Sequence, residues 1–418
     1  LTKVLSTSKN YTLIIGAGIA GLTAARILRS AGRKVRILEA SDAPGGRVRT
    51  DKVNGYLLDR GFQVLLTAYP EAKHFLDYKA LDLQAFNAGS ILLNNSGIDE
   101  IGDPLREASA LFRTLKSPVG SLSDKFRLLF LRLKLAGISI DKIFSKQEIT
   151  TLQYLKNAGF TDKIISGFFA PFMSGIYLEQ NLDTSSRMFE FVFKMFSEAD
   201  TAVPAKGMGM ISSQLASCLS VEEMVLNERV LSIDGNEVQT ASGNFYEANT
   251  ILIATTADSI PVPFQLKHVE KKSVTCMYFS SENAPYHKAL IALNANKGRL
   301  VNNIAVMSNV SSYYAPEGKS LISVSLSGNE QFIKQEDLEL KVKEELKFWY
   351  PDSLSWVFLK TYSIPYALPD NRQVMNDILP SSMRLNTSTF ICGDHLLNGS
   401  INAAMKSGRL AAESILSI

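Results

Sequence analysis

The sequence predicts an α/β protein, a Rossmann-type nucleotide-binding domain intergrown with an α+β domain. Three observations carry that expectation. The chain opens on a strand, a glycine turn, a helix and a second strand within residues 11–50. Short strands recur at about 222–256 and 270–365, after a mainly helical stretch at about 101–200. The chain has 418 residues, 46% of them hydrophobic, which exceeds the roughly 100–200 residues of one ordinary domain and can fill two cores.

Each element has a local reason. Thr12-Leu13-Ile14-Ile15 is a short apolar run ending in glycine, Leu22 to Leu28 places apolar residues at helical spacing, and Lys34 to Leu38 is strand-like again. The stretch 101–200 is rich in Leu, Phe and Lys with few β-branched runs, which suits helices. Glu228 to Ile233 and Glu237 to Thr240 alternate around Asp234-Gly235-Asn236, and a second turn at Ser242-Gly243-Asn244 leads to the apolar strand Thr250 to Ile253. One charged helix, Gln335 to Phe348, interrupts the later strands. The chain then ends in a strand (Thr389 to Cys392), a Gly393-Asp394 turn and a helix from about Ser400 to Ser417.

Several function classes recede on composition. The 44 basic and 41 acidic residues are spread along the chain with no basic stripe, so no nucleic-acid partner is expected. Cys218, Cys276 and Cys392 lie far apart, as do the four histidines, so neither a disulfide framework nor a metal site is read, and a reducing, cytoplasmic setting fits. No run reaches the ~20 apolar residues of a membrane span. The chain starts at Leu1, so a trimmed targeting segment stays open.

Gly16-Ala17-Gly18-Ile19-Ala20-Gly21 follows a strand and opens a helix, the context in which G-x-G-x-x-G signifies dinucleotide binding. Gly16 turns the chain, Gly18 admits a pyrophosphate to the helix N-terminus, and Gly21 lets helix and strand close up. Glu39, 18 residues after Gly21, is placed to accept from a ribose hydroxyl and disfavours a 2′-phosphate. Gly45-Gly46-Arg47 adds free amides and a permanent cation to the same phosphates. A pyrophosphate gripped from two sides suits a retained cofactor, FAD, over an exchanging NAD.

With these motifs the chain resembles the flavin-containing superfamily of amine oxidases, protoporphyrinogen oxidases and phytoene desaturases. Ile391-Cys392-Gly393-Asp394-His395 and the run Asn398 to Arg409 resemble its second FAD motif. The resemblance implies an amine-oxidase-like two-domain flavoprotein, with an FAD domain from 1–76, 201–260 and 366–418 and a substrate domain from 77–200 and 261–365. It also implies FAD contacts at Ile19, Ala20, Ala40, Gly61, Phe62, Val230, Gly393, Asp394, Ser400 and Ile401. Asp394 would serve a ribityl hydroxyl. The first turn after Ser400 would face the flavin's pyrimidine edge, where helix-end amides favour negative charge.

The implied reaction is removal of hydride from a hydrophobic small molecule, with electrons passed to O2 or a quinone. Ser400 stands where amine oxidases of the superfamily place an aromatic ring, which weakens an amine substrate. Asp59 to Pro70 is similar to the phytoene-desaturase stretch, and with it the substrate is expected to be isoprenoid, carotenoid or tetrapyrrole. Phe172, Tyr177, Tyr362 and Tyr366 are the expected substrate-pocket residues, drawn partly from an aromatic crowd at 168–196. Gln63 and His395 are the candidate catalytic residues. The alternatives are an amine or amino-acid oxidase releasing hydrogen peroxide, and a non-redox isomerase or lipid-binding module. In Lys125 to Leu135 two apolar stripes, Phe126/Leu129/Phe130/Leu133 and Leu128/Leu131/Leu135, predict burial between neighbours, with peripheral membrane contact as the minor alternative.

Overall fold

The computed structural model describes residues 11–102, 120–296, 298–327 and 334–418. The N-terminal βαβ unit forms as expected and is the middle of a five-stranded sheet. Its order is Met224–Val225, Val35–Leu38, Thr12–Ile15, Thr250–Ile253 and Thr389–Ile391, parallel throughout. Thr12–Ile15 and Thr250–Ile253 are flanked on both sides and nearly wholly buried, which is why they read as apolar runs and not as alternating strands. The last strand and the first thus belong to one sheet. The closing helix Ile401–Leu416 seals the arrangement against Ile19–Ser30. A Cβ at Gly408 would fall 2.2 Å from the Ala20 carbonyl oxygen, so the two backbones touch.

A meander, Val230–Asp234, Glu237–Thr240 and Phe245–Glu247, flanks this sheet with the expected turns. The second domain is organised on a seven-stranded sheet: Val357–Pro369, Lys271–Ser281, Ser320–Leu326, Val301–Val306, Ile291–Asn294, Gly89–Asn94 and Gly97–Gly102. One face is dry. Met277, Phe279, Ile304, Ile322 and Val324 pack there with Leu338, Val342 and Leu346 of the helix Gln335–Leu346. The other face, carrying Cys276, Tyr278, Asn303 and Ser325, looks inward. The expected domain limit at 366 falls inside the strand Val357–Pro369, and a small sheet joins Leu65–Leu66 and Leu83–Ala85 to Thr201–Pro204.

The helical stretch contains Leu122–Ala136, Ile140–Phe144, Thr151–Asn157, Ala170–Tyr177 and Ser186–Glu198, with a π-helical turn at Ile165–Phe169. Residues 103–119 lie outside the described residues. Leu122–Ala136 begins in a capping box, Ser121 with Asp124, and packs on Ser186–Glu198. Burial between neighbours holds for one stripe only. Leu131 and Leu135 are buried, whereas Phe126, Phe130 and Leu133 are exposed at 69%, 69% and 61%. The helix lies on the outside of the bundle, so only its inner stripe finds partners. Among the described residues no helix is long and apolar enough to cross a membrane.

Candidate active site

A cavity of about 450 Å³ opens where the two sheets and the helical stretch meet. Its first half is built by the glycine turns. Gly18 is the N-cap of Ile19–Ser30, in extended conformation, and a Cβ there would meet nothing within 4 Å. Gly46 approaches it so closely that its own Cβ would lie 3.3 Å from the Gly18 Cα, and Gly45 donates from its amide to Ala17 O at 2.8 Å. The two glycine loops therefore form one cradle. Gly16, Gly18, Ile19, Ala20, Glu39, Ala40, Gly45, Gly46 and Arg47 all line it, joined by Gly61, Phe62, Val230, Gly393, Asp394, Ser400 and Ile401. Gly21 lies behind the wall, where a Cβ would come 2.2 Å from Gly16 O, in keeping with its expected packing role.

Glu39 is held by three donors. Its Oε2 accepts from the Ala17 amide at 2.7 Å, and its Oε1 from the amide and hydroxyl of Ser41 at 2.9 and 2.7 Å. A carboxylate oxygen has about two acceptor sites, so Oε1 is filled by Ser41 and Oε2 can still accept from a hydroxyl in the cavity. Arg47 and Asp394 come from opposite ends of the chain and pair at 2.7 Å. Arg47 also donates to Ala367 O at 2.9 Å and lies 5.4 Å from the centre of the Tyr366 ring. Burial opposes the guanidinium charge, but the Asp394 carboxylate, with smaller contributions from Tyr366 and Asp258, leaves the pKa raised. Sequence reasoning gave these two residues separate contacts; the structure shows them facing each other on one wall.

The closing helix opens onto the cavity through Ser400, Ile401 and Ala404. The Ser400 hydroxyl accepts from the Ala403 amide at 3.0 Å and donates to Asn398 Oδ1 at 2.7 Å. Gln63 also lies on the wall. Its Nε2 donates to Arg47 O at 2.8 Å and Arg60 O at 3.1 Å, so the side chain braces the arginine loop.

Four expected residues do not reach the wall. His395 packs over Gly393, where a Cβ would lie 2.5 Å from the imidazole. Among the described residues both its ring nitrogens lack hydrogen-bond partners, and burial pushes its pKa below the ordinary value. Tyr177 is fully buried, its hydroxyl unpartnered among the described residues and its pKa raised by burial. Tyr362 turns away and donates to Asp51 Oδ2 at 2.7 Å, while Tyr366 sits beneath Arg47. Phe172 does line the cavity. It stacks on Phe168 with ring centres 5.7 Å apart and contacts Phe196 at 5.2 Å, whereas Phe169, Phe189 and Phe191 are core.

The second half of the cavity is a chamber between the inner sheet face and the helices Ala170–Tyr177 and Ser186–Glu198. Ile176, Leu178, Val192, Ile291, Leu293, Val274 and Ile364 wall it, with the polar Asn303 and Ser325 among them. None of these was named from sequence. The one visible signal was an Asn-Asn pair inside the apolar run Val301–Val306.

The donor set and the cradle fit a dinucleotide: two glycine turns, a helix N-terminus, a cation and a ribose-side carboxylate converge on one hollow. A family model described as flavin containing amine oxidoreductase matches residues 19–416. An L-amino-acid oxidase of Siganus canaliculatus is 48% identical over 56 residues, 13% of this chain and 11% of that protein. A hydroxysqualene dehydroxylase of Zymomonas mobilis is 48% identical over 69 residues, 16% of this chain and 17% of that protein. The chain thus spans less than a fifth of the length of either relative. A solved putrescine oxidase with bound putrescine superposes with a TM-score of 0.74 at 16% identity, covering 98% of this chain and 99% of that one, which shows the shared fold.

Proposed function

The chain belongs to the flavin-containing amine oxidoreductase family, and on that premise we propose that it is an FAD-dependent oxidase or desaturase of an apolar molecule of isoprenoid or tetrapyrrole type. The distribution of charge carries this reading. Every charged residue lining the cavity, Glu39, Arg47, Arg60, Glu228, Arg229 and Asp394, belongs to the cofactor half or its margin. Among the described residues the chamber beyond has no carboxylate, so a bound ammonium would be buried without a counter-charge. Ser400 caps a helix there and offers no ring to cage an amine. A relative named for hydroxysqualene is in keeping with an apolar substrate.

When bound, FAD supplies the two-electron acceptor for hydride removal, and O2 or a quinone would take the electrons onward. The chain's own residues bind, orient and exclude water. Glu39 would accept from the ribose, Arg47 and the glycine cradle would hold the phosphates, and Asp394 would take a ribityl hydroxyl. The first turn after Ser400 favours negative charge at its mouth. The apolar chamber wall keeps water from the reacting carbon.

An amino-acid oxidase is the second reading, favoured by Arg60 at the margin of the chamber, where a substrate carboxylate could meet it. That guanidinium is already engaged by Asp51 at 3.1 Å. Anaerobic mixing of the FAD-loaded protein with polyenes, porphyrinogens, amines and L-amino acids decides the matter. Bleaching of the flavin by polyenes or porphyrinogens supports the first reading, and bleaching by amino acids or amines alone overturns it. The exposed stripe Leu122, Phe126, Phe130 and Leu133, beside Arg127 and Lys134, suits contact with an anionic bilayer surface. Flotation with anionic vesicles tests this, and protein left wholly at the bottom of the gradient refutes it.

A further inference from the structure

The strand Val301–Val306 is buried along its whole length yet carries two adjacent asparagines. Asn302 is accounted for: its Oδ1 accepts from the Ser174 hydroxyl at 2.6 Å and from Arg299 at 3.0 Å. Asn303 is not. It is 3% exposed, its Oδ1 meets no hydrogen-bond partner among the described residues, and it lines the chamber. Leaving such an oxygen buried and unsatisfied is unfavourable, and a leucine would fill the same space without the penalty. An apolar chamber thus keeps one unsatisfied carboxamide on its wall.

The register isolates this spot. Asn303 lies opposite Ser325 on one neighbouring strand and Leu293 on the other, and all three face the chamber. Ile176, Ile291 and Phe172 complete its apolar surroundings. Gly175 makes room behind it, since a Cβ there would lie 2.9 Å from the Asn303 amide nitrogen. Arg299, the cation of this corner, is turned to Asn296, Ser174 and Asn302 and does not line the chamber.

We propose that Asn303, with Ser325 beside it, is the docking point for a single uncharged polar group (a hydroxyl or carbonyl) on an otherwise apolar substrate. A carboxamide accepts and donates, so it can serve either group. A carboxylate or ammonium would enter this buried corner without a counter-charge and is selected against. The proposal rests on the reading of the chamber as the seat of an apolar substrate and sharpens it to a mono-oxygenated one.

The test is equilibrium binding to the FAD-loaded protein of two radiolabelled probes of matched length, farnesol and the hydrocarbon farnesene, delivered from one cyclodextrin carrier. The wild type is expected to favour farnesol about tenfold or more, the worth of one buried hydrogen bond. Asn303→Leu should bring the ratio near one while farnesene binding is kept or tightened, and Ser325→Ala should reduce it in part. Retained flavin verifies the fold of each variant, and Asn303→Ser serves if the leucine variant does not fold. A wild type that binds both probes equally, or a leucine variant that keeps the preference, overturns the docking assignment but leaves the apolar chamber standing. Binding of neither probe overturns both.

Discussion

Replacing Gly18 by alanine adds one methyl group where the first helix opens onto the cavity. Gly18 has φ −73° and ψ 176°, a conformation any L-residue adopts, and the added carbon meets nothing within 4 Å. The protein without cofactor should therefore tolerate it, because the gain of about 0.4–1 kcal/mol from a less flexible unfolded chain is offset by alanine's poorer N-capping. The empty space the methyl enters is the space a pyrophosphate needs to reach the helix-end amides. Losing one charge-assisted hydrogen bond there, worth about 1.5–3 kcal/mol, weakens FAD binding roughly 10- to 150-fold. Gly16→Ala is the contrasting variant. Gly16 sits at φ +105°, and its Cβ would fall 2.7 Å from the Ala254 carbonyl oxygen, a backbone atom that cannot swing away. Strain of about 1–2 kcal/mol and overpacking of about 1–3 kcal/mol should lower the melting temperature by several degrees before any cofactor is added. Thermal melts of the cofactor-free variants, paired with FAD titrations followed by flavin fluorescence, separate the two effects. Unchanged FAD affinity in Gly18→Ala, or a melting temperature depressed as far as in Gly16→Ala, would refute the cradle.

Three further outcomes follow from single side chains. Asp394→Ala removes the partner of Arg47 and a wall oxygen, so the purified variant should carry less flavin; undiminished flavin content contradicts this. Burial lifts the Asp59 carboxyl to about 6 despite hydrogen bonds from Thr50, Tyr314 and the Met208 amide. The unfolded chain releases that proton near pH ~3.9, so between about pH 4 and 6 the folded state holds more protons. Stability then falls as pH rises through that window, by up to about 3 kcal/mol. Urea melts of Asp59→Asn should lose this limb, and an identical pH profile would count against it. Tyr362→Phe should cost about 1 kcal/mol, because Asp51 keeps Arg60 and Lys360, and should leave FAD and probe binding unchanged; weaker probe binding would return the ring to the chamber.

What could be read in the sequence was whatever backbone geometry dictates locally. Gly16, Gly45 and Gly46 are required by positive-φ turns, Gly18 leaves the helix N-terminus open, and Glu39 ends a short strand, so composition and spacing expose them. The second motif, Gly393-Asp394, is of the same kind. The chamber was illegible for the opposite reason. Its wall is assembled from Phe172, Val192, Ile291, Leu293 and Val274, residues more than a hundred positions apart at the extremes and chemically the same as core. An aromatic at 169 or 189 and one at 172 look alike in sequence; only the direction each helix presents to the sheet separates wall from core. Tyr362 and Tyr366 failed for a different reason: Tyr362 shares the inward strand face with Ile364, but Asp51 claims its hydroxyl, and Arg47 lies over the Tyr366 ring.

The cofactor half depends on the chain ends in a way that no single motif reveals. Arg47 reaches Asp394, Glu71 pairs with Arg409 at 2.6 Å, and the Glu71 amide donates to Asn402 Oδ1 at 3.0 Å. With the Gly408–Ala20 backbone contact, these ties clamp the closing helix to the opening one. The same clamp aims the first turn of Ile401–Leu416 at the hollow and brings Asp394 to its wall. The chamber needs no such precision, because apolar burial is non-directional and its wall can be drawn from any strand or helix that faces inward. That difference explains why recognition of the nucleotide lies in short, readable motifs while choice of substrate is left to side chains such as Asn303, whose meaning appears only once the inner face of the sheet is known.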